Sequence, residues 1–578
     1  MEFKKKQSYF KRFVLSYYQI FVIFILLTLL IPSCLLTIIN FIQDNQLVLI
    51  GENQISRPAE WWVHFKQPIV TLKTLYADKD FFYGYILLQG SVTCWALYRA
   101  LIVAIQVRPH KVEENSDYGA FGTARWAKKK EILNDTENFT TDIETTNFGS
   151  LIGQMLYSKQ LLVRKDDSEI NGHTMVIAGS GKGKTQAYVL NQVMLTKNKS
   201  LLIGDGKGEI YQLTSKQKFK EGFKIIFLDF IKFLGNHWNP LAEMTIDEAD
   251  NFATNLVKSV DDDSNNVWGG QAINLISACI VFVLENHPKV GQTMAEVRRI
   301  INLSEEDIKE LFEDLPDDSQ AKDYFGEISG VTGNAWSGIK VTATNATRFW
   351  KQRRIQNFTS TSDFKFTDLG QEKIAVYIRV HPTDETYRPL VNTFFTQLLN
   401  RLIEDVDDFG GTYPNRIKAC LDEFTGMGLI KPYQGALAFV RSLGLDLETV
   451  VQDISQLDKV YKEEDRQSII SNCDNFIFLG TNSAETAEYI SKKLDETTII
   501  LQNEQGKSAN LDISKGNQAK NQSKRWLMTK GEVLRMKKSI GIYFPSGHYP
   551  IKFKKVWAYK LFPGMKKAEL NWHLSIKE

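Results

Sequence analysis

The residues best suited to chemistry in this chain are Lys184 and Thr185, which close the stretch Gly179-Ser180-Gly181-Lys182-Gly183-Lys184-Thr185, and the adjacent carboxylates Asp422 and Glu423 far downstream. A glycine-rich turn ending in Lys-Thr presents consecutive backbone N–H groups to an anion. The lysine then reaches the outer phosphates of a nucleotide, and the threonine hydroxyl faces Mg2+. The turn departs from G-x-x-x-x-G-K-[ST] at one place, Ala178, which stands where the first glycine is expected. The Asp-Glu pair suits the complementary task, with Asp422 holding Mg2+ and Glu423 polarising a water. Alone, such a pair is more often a helix cap; in tandem with the turn it points to ATP hydrolysis, with ATP and Mg2+ as cofactors. Gln452, at the end of Val450-Val451, has two open readings. Its amide either contacts the γ-phosphate or attacking water, or belongs to a plain strand-to-helix turn with an Asp or Ser cap.

These side chains need strands to carry them. Met175-Val176-Ile177 reads as a buried strand before the turn, and a helical pattern from Tyr188 to Leu195 follows it. Further apolar runs begin at Ser200, Lys224, Lys373 and Ile417, alternating with helical stretches. That alternation predicts an α/β fold with a mostly parallel sheet covered on both faces and ligands at the carboxyl ends of its strands. Between about 241 and 367 the periodicity turns helical throughout, with Ser304 as an N-cap before Glu305, Glu306 and Asp307.

The chain of 578 residues is long enough for three or four cores. Its five cysteines are scattered without metal-ligand spacing, which argues against a disulfide framework or a zinc site. A net charge of +2 hides local asymmetry: residues 241–318 hold 17 acidic against 5 basic side chains, and residues 506–578 hold 16 basic against 4 acidic. The acidic region repels phosphates and suits protein docking. Lys340, Arg348, Lys351, Arg353 and Arg354 beside Trp336, Phe349 and Trp350 read either as a single-strand nucleic-acid contact or as an amphipathic helix with a solvated basic face. The basic tail suits DNA, an anionic membrane surface or plain solvent; its runs 540–544 and 551–556 could pair as late strands.

Two apolar runs, about 13–42 and 81–107, exceed the roughly 20 residues that cross a bilayer. Arg99 interrupts the second and is expected near its cytoplasmic end. Lys4, Lys5, Lys6, Lys11 and Arg12 precede the first span, and Arg108, His110 and Lys111 follow the second. The positive-inside rule therefore places both termini in the cytoplasm and the loop 43–80 outside, with Trp61-Trp62 at the membrane interface.

The stretches VIAGSGKGKT, LLIGDGKGEIYQLT, LDEFTGMGLI, AFVRSLGLDLETVVQDISQLDKVY and SNCDNFIFLGTNSAETAEYISKKL occur in the order of the TraG/TraD-like coupling proteins of conjugative type IV secretion systems, and the chain resembles that family over most of residues 120–500. The resemblance implies a RecA-like P-loop NTPase with an all-helical insertion domain and an N-terminal two-helix transmembrane anchor in the bacterial inner membrane. It places Lys184 and Thr185 on the phosphate and metal positions, Asp422 and Glu423 on the acidic motif, and Gln452 on the strand-end sensor. Arg441 matches an arginine that projects into a neighbouring subunit's nucleotide, although an intrasubunit ion pair explains it equally. Gly206 stands where relatives often carry proline, a change with no evident chemical effect. Partners implied are single-stranded DNA, the relaxase and accessory transfer proteins, secretion-channel components and further copies in a hexamer. The expected division is 1–112 anchor, 113–240 and 371–505 nucleotide-binding domain, 241–370 helical insertion and 506–578 basic extension. The expected function is a coupling ATPase that drives the relaxase–DNA complex into the channel. The alternatives are a nucleotide-dependent receptor or scaffold without pumping, and an FtsK-like translocase.

Overall fold

The computed structural model describes residues 18, 20–28, 30–36, 66–77, 79–106, 113–114, 122–260, 268–381, 384–502 and 520–575. The ends of the first apolar run, the segment 43–65 with Trp61-Trp62, all the flanking basic residues named above and residues 503–519 lie outside them. Two compact units divide the chain after Glu113.

In the first unit, Ile20–Leu36 forms a short apolar helix and Lys79–Gln106 a helix of 28 residues, about 42 Å long at 1.5 Å per residue. Gln89 Nε2 donates to Thr28 Oγ1 at 2.8 Å and ties the two together. The long helix exposes Ile86, Leu87, Leu88, Trp95 and Leu97, while Arg99 lies two turns from its end. Pro68–Ala77 is also helical, where the sequence reading expects only a loop. Among the described residues, the one helix both long and apolar enough by composition to cross a membrane is Gly269–Asn286 in the second unit, and it is 56% buried there as a core helix.

The second unit is built on thirteen strands: β1 (Phe139–Thr140), β2 (Phe148–Met155), β3 (Leu161–Lys165), β4 (Thr174–Ala178), β5 (Ser200–Gly204), β6 (Lys224–Asp229), β7 (Leu234–Gly235), β8 (Ile374–Arg379), β9 (Ile417–Leu421), β10 (Leu445–Val451), β11 (Asn475–Gly480), β12 (Ile540–Pro545) and β13 (Ile551–Lys554). Their order across the sheet is β1-β3-β2-β13-β12-β11-β4-β10-β9-β5-β8-β6-β7. The run from β11 to β6 is parallel throughout. Side chains alternate between two buried faces, as the period of a strand requires. Met175 and Ile177 belong to the core on the face that the helical insertion shares, and Val176 and Ala178 to the core on the other face, with Tyr188 and Val189 of the helix after the glycine turn. Lys418 and Glu448, on neighbouring strands, form a buried ion pair at 2.9 Å. Lys418 Nζ also donates to Gly149 O and Ser150 Oγ, so the desolvated charge is fully engaged.

The helical segment between β7 and β8 includes Ala249–Val260, Gly269–Asn286, Met294–Ile301, Glu305–Glu313, Gln320–Gly326 and Gly333–Ala346. Ser304 caps its helix as expected, its side chain accepting from Asp307 N. The aromatic residues do not behave as a base-stacking surface: Trp336, Phe349 and Trp350 are 2% exposed or less and belong to the core, leaving Arg348, Lys351, Arg353 and Arg354 alone at the surface. The stacking reading therefore fails, because aromatic residues at helical spacing are equally what an amphipathic helix buries.

The C-terminal segment is no appended tail. β12 and β13 pair with each other, and they join β11 on one side to β2 on the other. A separate hairpin, Glu496–Gln502 with Lys520–Trp526, precedes them.

Candidate active site

The glycine turn leaves β4 at Ala178, which is fully buried in the strand and is not among the residues with positive φ. Alanine therefore fits where the pattern expects glycine. The left-handed positions fall on Gly181 and Gly183, with φ of +70° and +91°. Gly179 N donates to Gly480 O at 2.8 Å, and Lys182 N donates to Gly179 O at 3.0 Å, which closes the turn. The following helix opens with a wide π turn, Thr185–Val189, before Leu190–Leu195. Its N-terminus favours an anion.

β4 and β9 flank β10 in parallel register, so the residues just past their ends face each other across the end of β10. Lys184 Nζ lies 3.3 Å from Asp422 Oδ1 and 2.5 Å from Glu423 Oε1. Thr185 Oγ1 donates to Asp422 Oδ2 at 3.1 Å. Gln452, immediately after β10, donates from Nε2 to both Glu423 oxygens at 3.0 and 3.2 Å. Residues from three distant segments thus meet in one cluster. Thr185 and Asp422 offer adjacent hard oxygen donors of the kind Mg2+ takes, and Lys184 and the helix N-terminus offer positive charge to phosphate.

The electrostatics of the cluster are set by burial. Burial raises the Asp422 carboxyl above its ordinary range, and the Glu423 charge adds to this against the opposing pull of Lys184 and Thr185. Asp205, whose carboxylate accepts from Tyr211 N, is pushed up to about 6 by burial, with the charge of Asp422 adding to it. Glu423 holds a left-handed backbone, φ +57°, which strains a residue with a side chain. Gly206 matters to it. A Cβ at 206 would meet Glu423 Cγ at 3.1 Å, a close contact beside that side chain which glycine avoids.

Arg441 is not part of this cluster. It precedes β10 at the amino edge of the sheet, where its guanidinium is exposed and donates to Glu169 O at 3.2 Å. Seven strand residues, about 23 Å at 3.3 Å each, separate that edge from Gln452. Arg441 therefore lies far from its own chain's Lys184.

The sequence reading missed the contribution of the C-terminus. Lys555 Nζ donates to Lys182 O at 2.9 Å and to Leu479 O. Asn191 Nδ2 donates to Val556 O at 2.7 Å, and the ring of Trp557 lies against Gly183. No local signal marks residues that reach the turn only through a strand pairing formed some 370 residues downstream of it.

Residues 118–575 match the family model described as type IV secretory system conjugative DNA transfer. The chain belongs to this family. Among relatives of this conjugative DNA transfer protein, the conjugal transfer protein TraG of Escherichia coli is 26% identical over 460 residues, covering 72% of this chain and 71% of TraG. Protein VirD4 of Rhizobium radiobacter is 25% identical over 460 residues, covering 76% of this chain and 64% of VirD4. Of the solved structures, the plasmid coupling protein TrwB in complex with the ATP analogue ADPNP superposes with a TM-score of 0.55 at 15% identity, covering 75% of this chain and 94% of TrwB. TrwB in complex with ADP and Mg2+ gives 0.55 at 14% identity, covering 77% and 97%. At these identities the structures establish the fold alone, and it is that of TrwB.

Proposed function

We propose that this conjugative DNA transfer protein is the coupling ATPase of a type IV secretion system, recruiting the relaxase with its single-stranded DNA and driving the complex into the channel by ATP hydrolysis. The observation that carries this reading is the convergence of Lys184, Thr185, Asp422, Glu423 and Gln452 at the carboxyl edge of one parallel sheet. In it, Lys184 binds the β and γ phosphates on the turn Gly179 to Thr185. Thr185 and Asp422 would hold Mg2+, which would neutralise phosphate charge. When phosphate draws the Lys184 ammonium away from Glu423, the Glu423 carboxylate is released to take a proton from the attacking water. Gln452 holds that carboxylate in place and senses the γ-phosphate. Arg441, exposed and remote from its own site, is suited to act in a neighbouring subunit's site within a homo-hexamer, where it would stabilise charge on the transferred phosphoryl group.

In this reading the helices Ile20–Leu36 and Lys79–Gln106, tied by Gln89 and Thr28, are a two-span anchor in the cytoplasmic membrane, with both termini inside by the basic residues that flank them in the sequence. The acidic insertion is the docking face for the relaxase or an accessory factor. In cells carrying Lys184→Ala or Glu423→Gln at normal membrane levels, conjugative DNA transfer should be lost. Undiminished transfer by either variant contradicts the proposal.

A further inference from the structure

The C-terminal segment crosses the phosphate turn directly after β13. Lys555 is pinned to Lys182 and Leu479 by their carbonyls, and Val556 is pinned by Asn191. The short helix Ala558–Leu561 then packs against the π turn Thr185–Val189. These contacts fix Trp557 beside the residue that precedes Lys184. A Cβ on Gly183 would lie 2.5 Å from Trp557 Cζ3, so glycine is needed there for the ring as well as for φ. The indole is only partly buried, and Tyr559, 54% exposed, lies next to it with ring centroids 6.2 Å apart and planes at 36°. Two aromatic rings are thus held at the rim of an anion-binding turn with apolar surface left open. A flat apolar partner recovers the free energy of covering that surface.

A nucleotide gripped by its phosphates on residues 179–185 must carry its base beyond the turn, past the ribose, and a purine has the flat π face such a surface accepts. We propose that Trp557, flanked by Tyr559, is the platform on which the nucleotide's purine base stacks, an assignment that rests on the nucleotide reading of the turn. The C-terminal segment then supplies the base-binding half of the site and the glycine turn supplies the phosphate-binding half. Occupancy of the site is thereby coupled to the strands β12 and β13.

The test compares a ligand with a base to one without. Binding of ATP and of inorganic tripolyphosphate, each with Mg2+, is measured by calorimetry on the full-length protein in detergent for wild type, Trp557→Ala and the bulkier Trp557→Leu. Loss of one base-stacking contact should weaken ATP binding about 5- to 150-fold in both variants. Tripolyphosphate affinity should stay within about twofold, and that also reports an intact turn. Equal weakening for both ligands, or ATP affinity unchanged in both variants, overturns the platform. Wild-type protein that takes up neither ligand overturns the nucleotide reading together with it.

Discussion

Glu423 offers a perturbation in which backbone and chemistry separate. Its φ of +57° and ψ of 39° are left-handed, and its carboxylate is engaged by Lys184 and Gln452. Glu423→Ala and Glu423→Gly lose the same ion pair and hydrogen bonds, leaving Lys184 with Asp422 at 3.3 Å in each. They differ in the cost of the left-handed conformation, about 1–2 kcal/mol for a residue with a Cβ and none for glycine. Against this stands the greater unfolded-state entropy of glycine, about 0.4–1 kcal/mol. The net expectation is that Glu423→Gly is more stable than Glu423→Ala by about 1 kcal/mol, the reverse of their order at an ordinary helix or strand position. Thermal denaturation reads this as a midpoint about 1 °C higher for the glycine variant. Both variants should lose about 10²–10⁴ of turnover, the range that a general base contributes. An alanine variant at least as stable as the glycine variant refutes the strained backbone, and turnover retained in either refutes the role of the carboxylate.

Gly206→Ala, which brings a methyl to 3.1 Å from Glu423 Cγ, should lower kcat with little change in KM, as steady-state kinetics would register; an unchanged kcat contradicts the close approach. Trp350 is fully buried and donates from Nε1 to Thr359 Oγ1 at 3.0 Å. Trp350→Ala should therefore destabilise the protein by about 3–5 kcal/mol in denaturant unfolding. Were it to weaken single-stranded DNA binding at unchanged stability, the core assignment would fail. Lys555 is pushed down to about 7 by burial, with Lys182 and Lys538 adding to this, and the negative charge of a polyphosphate on the turn is expected to raise it. Lys555 is then less protonated in the free protein than in the complex near and above that value, so ATP binding takes up a proton and tightens as pH falls from 8 toward 7. Calorimetry in two buffers of different ionisation heat should detect that uptake in wild type and not in Lys555→Met; equal uptake in both contradicts it.

Much of the site was legible because its parts are local. Gly179 to Thr185 and Asp422-Glu423 each follow an apolar strand within a few residues, and strand ends in a parallel sheet meet along one edge. Gln452 was ambiguous from spacing, and the register of β10 beside β9 brings it to Glu423. Ala178 looked like a defect only because a pattern of residue types carries no φ values. Other features depend on contacts that no short stretch encodes. The late strands were visible as strands, but their insertion between β11 and β2 was not, and with it went the reach of Lys555 and Trp557 to the turn. Trp336, Phe349 and Trp350 misled because basic residues beside aromatic ones describe both a nucleic-acid surface and a helix with a buried face.

The most direct measurement of the central claim is steady-state ATP hydrolysis by the full-length protein in lipid nanodiscs, with and without single-stranded DNA, for wild type and Glu423→Gln. Hydrolysis stimulated by DNA in wild type and abolished in Glu423→Gln is the expected result. Wild-type protein that binds ATP yet neither hydrolyses it nor responds to DNA would contradict the account and leave a nucleotide-dependent receptor in its place.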